Sequence, residues 1–154
     1  MRFSIQEGMS PMPQHWPGSI RLLECPDGSE YGEEAFQYFL GLEQARALRS
    51  RQPVRVLLAT LEAVRDRPTA FPRASAAQLF KGLRSTLRDT DVVGWYRQDR
   101  IAGAVLSFPP HASPVGTVFE SRIEADLRRR LPPLLAKQLR LRMVRPDGAA
   151  LTNA

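Results

Sequence analysis

From Glu33 onward, apolar side chains recur at helical spacing. Phe36, Phe39, Leu40, Leu42, Ala45 and Leu48 form the set, with Glu43, Arg46 and Arg49 on other faces. This period predicts an amphipathic helix from Glu33 to about Arg51, ended by Pro53. Val54 to Leu61 is a short apolar run, the pattern of a central strand covered on both faces. After a turn region with Pro68 and Pro72, Ala77, Leu79, Phe80, Leu83 and Leu87 define a second helix from Ala74 to Arg88, with Ser75 as its expected N-cap. Val92 to Tyr96 and Ile101 to Phe108 are two β-rich runs around a short polar group, which predicts a hairpin with its tip at Arg97 to Arg100. Val118, Phe119, Ile123 and Leu127 predict a third helix from Val115 to Leu131, closed by Pro132 and Pro133. Gln138 to Val144 alternates strictly, with Leu139, Leu141 and Met143 on one face and Arg140 and Arg142 on the other, so it reads as a last strand.

The order helix, strand, helix, hairpin, helix, strand predicts an α/β or α+β sandwich around a mixed central sheet flanked by helices. Before Glu33 the period is lost among Pro11, Pro13, Pro17, Gly18, Pro26, Gly28 and Gly32. Residues 1–32 therefore read as an N-terminal tail with one candidate added strand, Ile20 to Leu23. The folded domain is expected over 33–148, with a turn at Pro146-Asp147-Gly148 and a frayed end at 149–154.

Composition narrows the function classes. The chain has 154 residues, 22 Lys+Arg against 16 Asp+Glu, and one cysteine. Its length suits one domain. A lone Cys25 leaves no disulfide framework or cysteine zinc cluster, and no paired base marks it as a nucleophile. No apolar run is long enough for a membrane span, and Met1 to Ser10 lack a signal core, so the expected location is cytoplasmic. All basic residues except Lys81 and Lys137 are arginine. Arginine forks onto phosphates and guanine edges, yet a GC-rich genome produces the same bias.

The richest stretch runs from Arg88-Asp-Thr-Asp91 through Val92-Val-Gly-Trp-Tyr96 to Arg97-Gln-Asp-Arg-Ile101 and Ala-Gly-Ala-Val-Leu106. It resembles the GGDEF domain of bacterial diguanylate cyclases. In that family an R-x-x-D motif is followed, after five residues, by a hairpin bearing Gly-Gly-Asp/Glu-Glu-Phe and then an apolar strand. Leu79 to Arg88 resembles the preceding helix and Phe39 to Leu61 the first helix and strand, so the likeness spans about 33–148. The resemblance implies a GGDEF-like fold with the hairpin at the former active site.

The departures from the family bear on activity. Arg97 and Gln98 fill the positions of the two glycines that let backbone amides approach a triphosphate. Asp99 matches a turn carboxylate, but Arg100 replaces the following metal-binding acid, and Thr60 in Leu58-Ala-Thr-Leu-Glu62 replaces the strand carboxylate. Phosphoryl transfer depends on those metal ions. The hairpin Arg97, Gln98, Asp99, Arg100 and Ile101 is therefore read as a degenerate active site, with no catalytic residue, no metal and no cofactor expected.

The family's R-x-x-D also binds the product, cyclic di-GMP. Carried over, Arg88 and Asp91 would contact that ligand, and Arg84 would add charge on the same helix side. The same residues also read as an exposed ion pair at a helix end. Asp99 with Glu62 reads as turn chemistry or as a metal remnant. His15 and His111 lie in separate proline-rich loops. Trp95 and Tyr96 read as one core and one surface residue, or as a base-stacking platform. Arg128-Arg129-Arg130 reads as a solvated helix end, or with Arg140 and Arg142 as an anionic-partner patch.

The resulting expectation is a catalytically inactive bacterial signalling module, a cyclic di-GMP receptor or a docking domain. The resemblance implies a setting in exopolysaccharide or motility control. A partner protein or self-association is expected; the alternative is an interaction scaffold that binds no nucleotide. A basic nucleic-acid-binding domain is a third reading, without a recognised reading motif.

Overall fold

The computed structural model describes residues 30–64, 67–107 and 117–146. The tail strand at Ile20 to Leu23, Cys25, both histidines, the Pro109-Pro110 break and the C-terminal end lie outside the described residues. Helix α1 (Glu33–Ser50) leads into strand β1 (Val54–Val64), followed by β2 (Arg67–Thr69) and helix α2 (Arg73–Thr86). The hairpin strands β3 (Val92–Arg97) and β4 (Ile101–Ser107) come next, then α3 (Thr117–Arg130), α4 (Pro133–Gln138) and β5 (Leu139–Val144).

Strand β1 lies at the centre because its apolar run serves two faces. Leu57, Ala59 and Leu61 enter one core with Leu79, Phe80 and Leu83 of α2 and Ile123 and Leu127 of α3. Val54, Val56 and Leu58 enter a second core beneath Phe36 and Leu40 of α1. On one edge β1 pairs with β4 from Val54↔Ser107 to Thr60↔Ile101. Past Thr60 the same edge takes β2, at Leu61↔Thr69 and Val64↔Arg67, while the other edge pairs with β5 from Val56↔Val144 to Leu61↔Leu139. All these ladders are antiparallel, as is the β3–β4 pairing. Leaving β2 aside, the order β5-β1-β4-β3 with its two helical crossovers is the split β-α-β-β-α-β arrangement.

Both outer edges of the sheet are occupied. Tyr31 forms a parallel bridge to Gly94, its N–H donating to Val93 O at 3.0 Å and its carbonyl accepting from the Trp95 N–H at 2.9 Å. On β5, the Leu141 N–H donates to Glu124 at 3.3 Å and Arg128 Nη2 donates to the Leu139 carbonyl at 3.0 Å.

Several sequence expectations shift. Pro72, not Ser75, is the N-cap of α2, and Ser75 is buried in the first turn. The helix ends at Thr86, where Leu87 turns to extended geometry, so Arg88 lies in the α2–β3 loop. The Pro132-Pro133 pair ends α3 but also starts α4, since proline suits a first helical position. Strand β2 falls in the expected turn region, and its three residues are too few to show a period.

Two glycines permit close approaches that a methyl would block. A Cβ at Gly94 would lie 2.5 Å from Tyr31 O, and one at Gly82 2.6 Å from Leu127 Cδ2 across the α2–α3 contact. Backbone cannot swing aside as a side chain can. Gly94→Ala is therefore expected to lower stability by about 1–3 kcal/mol, read as a reduced urea midpoint with an unchanged slope.

Candidate functional site

The loop leaving α2 places Arg88 and Asp91 at the edge of the sheet. Asp91 is 6% exposed, and its Oδ2 accepts the Arg88 backbone N–H at 3.0 Å. The Asp91 N–H in turn donates to the Arg88 carbonyl at 3.0 Å, so the pair closes its own loop. The Arg88 guanidinium is 3.9 Å from the carboxylate, remains 62% exposed, and donates to the Ser107 carbonyl. Arg84 donates to the Asp91 carbonyl at 3.1 Å, so it braces the loop's backbone from the last turn of α2. Burial pushes the Asp91 carboxyl above its ordinary 3.8, against the opposing pull of the Arg88 N–H and the Arg88 and Arg84 charges.

This corner also receives residues that sequence reasoning did not connect to it. Arg46 of α1 donates to Ser107 Oγ at 3.1 Å and is held by Glu43. Arg46 and Arg88 thus converge on Ser107 at the end of β4, while Arg84 holds the Asp91 carbonyl. The distance of Arg46 from Ser107 along the chain left no local signal of its place here.

At the hairpin tip, the Arg100 N–H donates to the Arg97 carbonyl at 3.0 Å, and Asp99 adopts φ 63° at the third turn position. Aspartate is one of the few side chains that tolerates this left-handed geometry. Its carboxylate accepts from Gln98 Nε2 at 3.2 Å. Glu33 and Gln98 bond reciprocally: the Gln98 N–H donates to Glu33 Oε1 at 2.7 Å, and the Glu33 N–H donates to Gln98 Oε1 at 3.2 Å. Gly32, the N-cap of α1, has no side chain to cap the helix, so Gln98 supplies the cap from 65 residues away. Gln37 adds a bond to the Tyr96 carbonyl at 3.0 Å, and on the opposite side Phe71 N–H donates to the Asp99 carbonyl at 2.8 Å. Arg97 lies over the Tyr96 ring at 4.9 Å. Ile101 is half-buried and packs beside Tyr96 and Val92 against the α1-side core.

The remaining candidates resolve into structural contacts. Glu62 pairs with Arg140 at 3.5 Å, and among the described residues no cluster of three or more metal-ligating side chains forms. Trp95 is buried, its ring 5.0 Å from Phe80 and 5.9 Å from Phe71, so it is unavailable for base stacking. Tyr96 is partly buried and packs edge-on to Phe36. Arg129 and Arg130 share Asp126, whose carboxyl is held below the usual range chiefly by the Arg129 hydrogen bond. Arg128 pairs with Glu124, so this run is bonded rather than simply solvated. No helix among the described residues is long and apolar enough to cross a membrane.

No family model and no curated protein matches the chain. A solved structure of a DGC protein from Thermotoga maritima is similar to it at 16% identity and a TM-score of 0.48, covering 75% of this chain and 79% of that one.

Removing the Gln98 side chain strands the first N–H of α1, and removing that of Glu33 strands the Gln98 N–H of the hairpin. Gln98→Ala is expected to cost about 1 kcal/mol, with a coupling to Glu33→Ala that a double-mutant denaturation cycle detects. For Asp91, a raised folded value means that the unfolded chain releases its proton first as pH rises. Its net contribution to stability is therefore full below pH 3.8 and is lost as pH climbs through the folded value. Asp91→Asn keeps an acceptor for Arg88 N–H without that titration. Its stability relative to wild type should improve as pH rises from 3.8 through the folded value of Asp91 and then level off, as followed by urea unfolding.

Proposed function

We propose that this chain is a non-catalytic, GGDEF-like regulatory domain whose former active-site hairpin has become a structural latch. The observation supporting this reading is the Gln98 N–H, which donates to the Glu33 carboxylate at 2.7 Å instead of facing an open approach. A hairpin that cradles a triphosphate needs free amides and room beside them. Here that amide is taken, by a carboxylate that would repel phosphate. Side chains occupy both positions that the resemblance assigns to glycine. With Arg100 in place of an acid and Thr60 in place of the strand carboxylate, divalent metal has no adequate donor set at the tip.

The regulatory ligand in this reading is cyclic di-GMP, held at the corner of Arg88, Arg84 and Asp91. The exposed Arg88 guanidinium supports it, because its hold on one carbonyl leaves donors for a guanine edge or a phosphate. A second reading, a docking scaffold that binds no nucleotide, is favoured by Asp91. Its carboxylate is buried and already bonded within its own loop.

Titration calorimetry with cyclic di-GMP separates the two. Heat of binding in the wild type that weakens at least about tenfold in Arg88→Ala supports the receptor. No heat in the wild type eliminates it and leaves the scaffold. Incubation with GTP and Mg²⁺ or Mn²⁺ is expected to yield no cyclic dinucleotide; any product would overturn the non-catalytic assignment.

A further inference from the structure

Helix α1 covers the sheet with Phe36 and Leu40, and the residues of its opposite face are exposed except Tyr38, which is half-buried. That outer face carries Glu34, Tyr38, Gly41, Leu42, Ala45, Leu48 and Arg49, residues that the 3.6-residue period places together. Leu48 is 83% exposed and Leu42 36%. A Cβ at Gly41 would meet nothing within 4 Å, so this position opens directly outward. Neither Glu34 nor Arg49 has an ion-pair partner among the described residues.

We infer that this face is a self-complementary interface at which two copies of the chain pair through antiparallel α1 helices. The order of residues argues for a second copy rather than another partner. An antiparallel pair crossing between residues 41 and 42 sets Glu34 opposite Arg49 of the other copy. In the same register Tyr38 meets Ala45 and Gly41 meets Leu42. Acid meets base at both ends, and at each step between them a large side chain meets a small one. A twofold axis repeats every such contact, as a closed dimer requires. Helix α1 is about 27 Å long, at 1.5 Å per residue, so both charged ends fall within reach. A single helix face is smaller than a standard interface of about 800 Å² per partner, so the dimer is expected to form at micromolar concentrations. The inference is independent of the nucleotide reading above.

Sedimentation velocity of the full chain from 1 to 200 μM, at low salt, tests it. Wild type should shift from monomer to dimer across this range. Glu34→Arg and Arg49→Glu should each weaken the dimer on the order of tenfold, since either change turns two symmetric attractions into repulsions. Mixing these two variants should restore association, because the heterodimer regains opposite charges at both ends. Gly41→Leu should abolish the dimer, yet raise the melting temperature of the dilute monomer by its higher helix propensity. That combination separates lost pairing from lost folding. A wild-type monomer at every concentration would overturn the inference. So would a dimer indifferent to both charge reversals.

Discussion

Strand β1 is buried on both faces and paired on both edges, and each other element takes its place from that constraint. A strand with one dry face would tolerate alternation of polar and apolar residues; this one cannot. Leu57, Ala59 and Leu61 require α2 and α3 above them, while Val54, Val56 and Leu58 require α1 below. With helices committed to both sides, the hairpin and the last strand have only the flanking positions of the sheet left to fill. The three-layer arrangement therefore follows from a few apolar residues in the middle of the chain.

The hairpin is consequently a supported element rather than a free loop. Its strands share both cores, and its tip is held on one side by the start of α1 and on the other by Phe71. A catalytic hairpin must keep its backbone donors uncommitted until substrate arrives, which costs local stability. This tip shows the opposite allocation: Gln98 and Asp99 satisfy neighbours and one another. Likewise Asp91 closes its own loop, while Arg88 keeps most of its guanidinium in water. The two corners differ in how much donor capacity remains open.

The long periodic segments were legible in the sequence because period and burial have the same cause. The helix beginning at Glu33, the Val54 strand, the hairpin and the Leu139 strand all appear close to their expected bounds. The failures are local. Ser75 has an N-cap side chain, yet the helix begins before it, after Pro72 has fixed the extended entry. Strand β2 and helix α4 are too short to show a period, so tertiary contacts decide them. For the site, sequence placed the hairpin tip at Arg97 to Arg100 but kept Arg88 on the helix, where the structure has it in the following loop. It could not give Glu33 on Gln98 or Arg46 on Ser107, because nothing local marks pairs joined across more than sixty residues.

The closure of the sheet's two edges bears on how this protein behaves when crowded. Exposed strand edges recruit strands from other molecules and are the usual seeds of fibrils. Tyr31 occupies the outer edge of β3 with main-chain bonds, and on β5 Glu124 and Arg128 place charged side chains where an incoming strand would dock. A neighbour could extend the sheet only after displacing one of these. Loss of the short segment around Tyr31 would therefore bare a ready template, and clipping just before α1 would favour precipitation over orderly assembly.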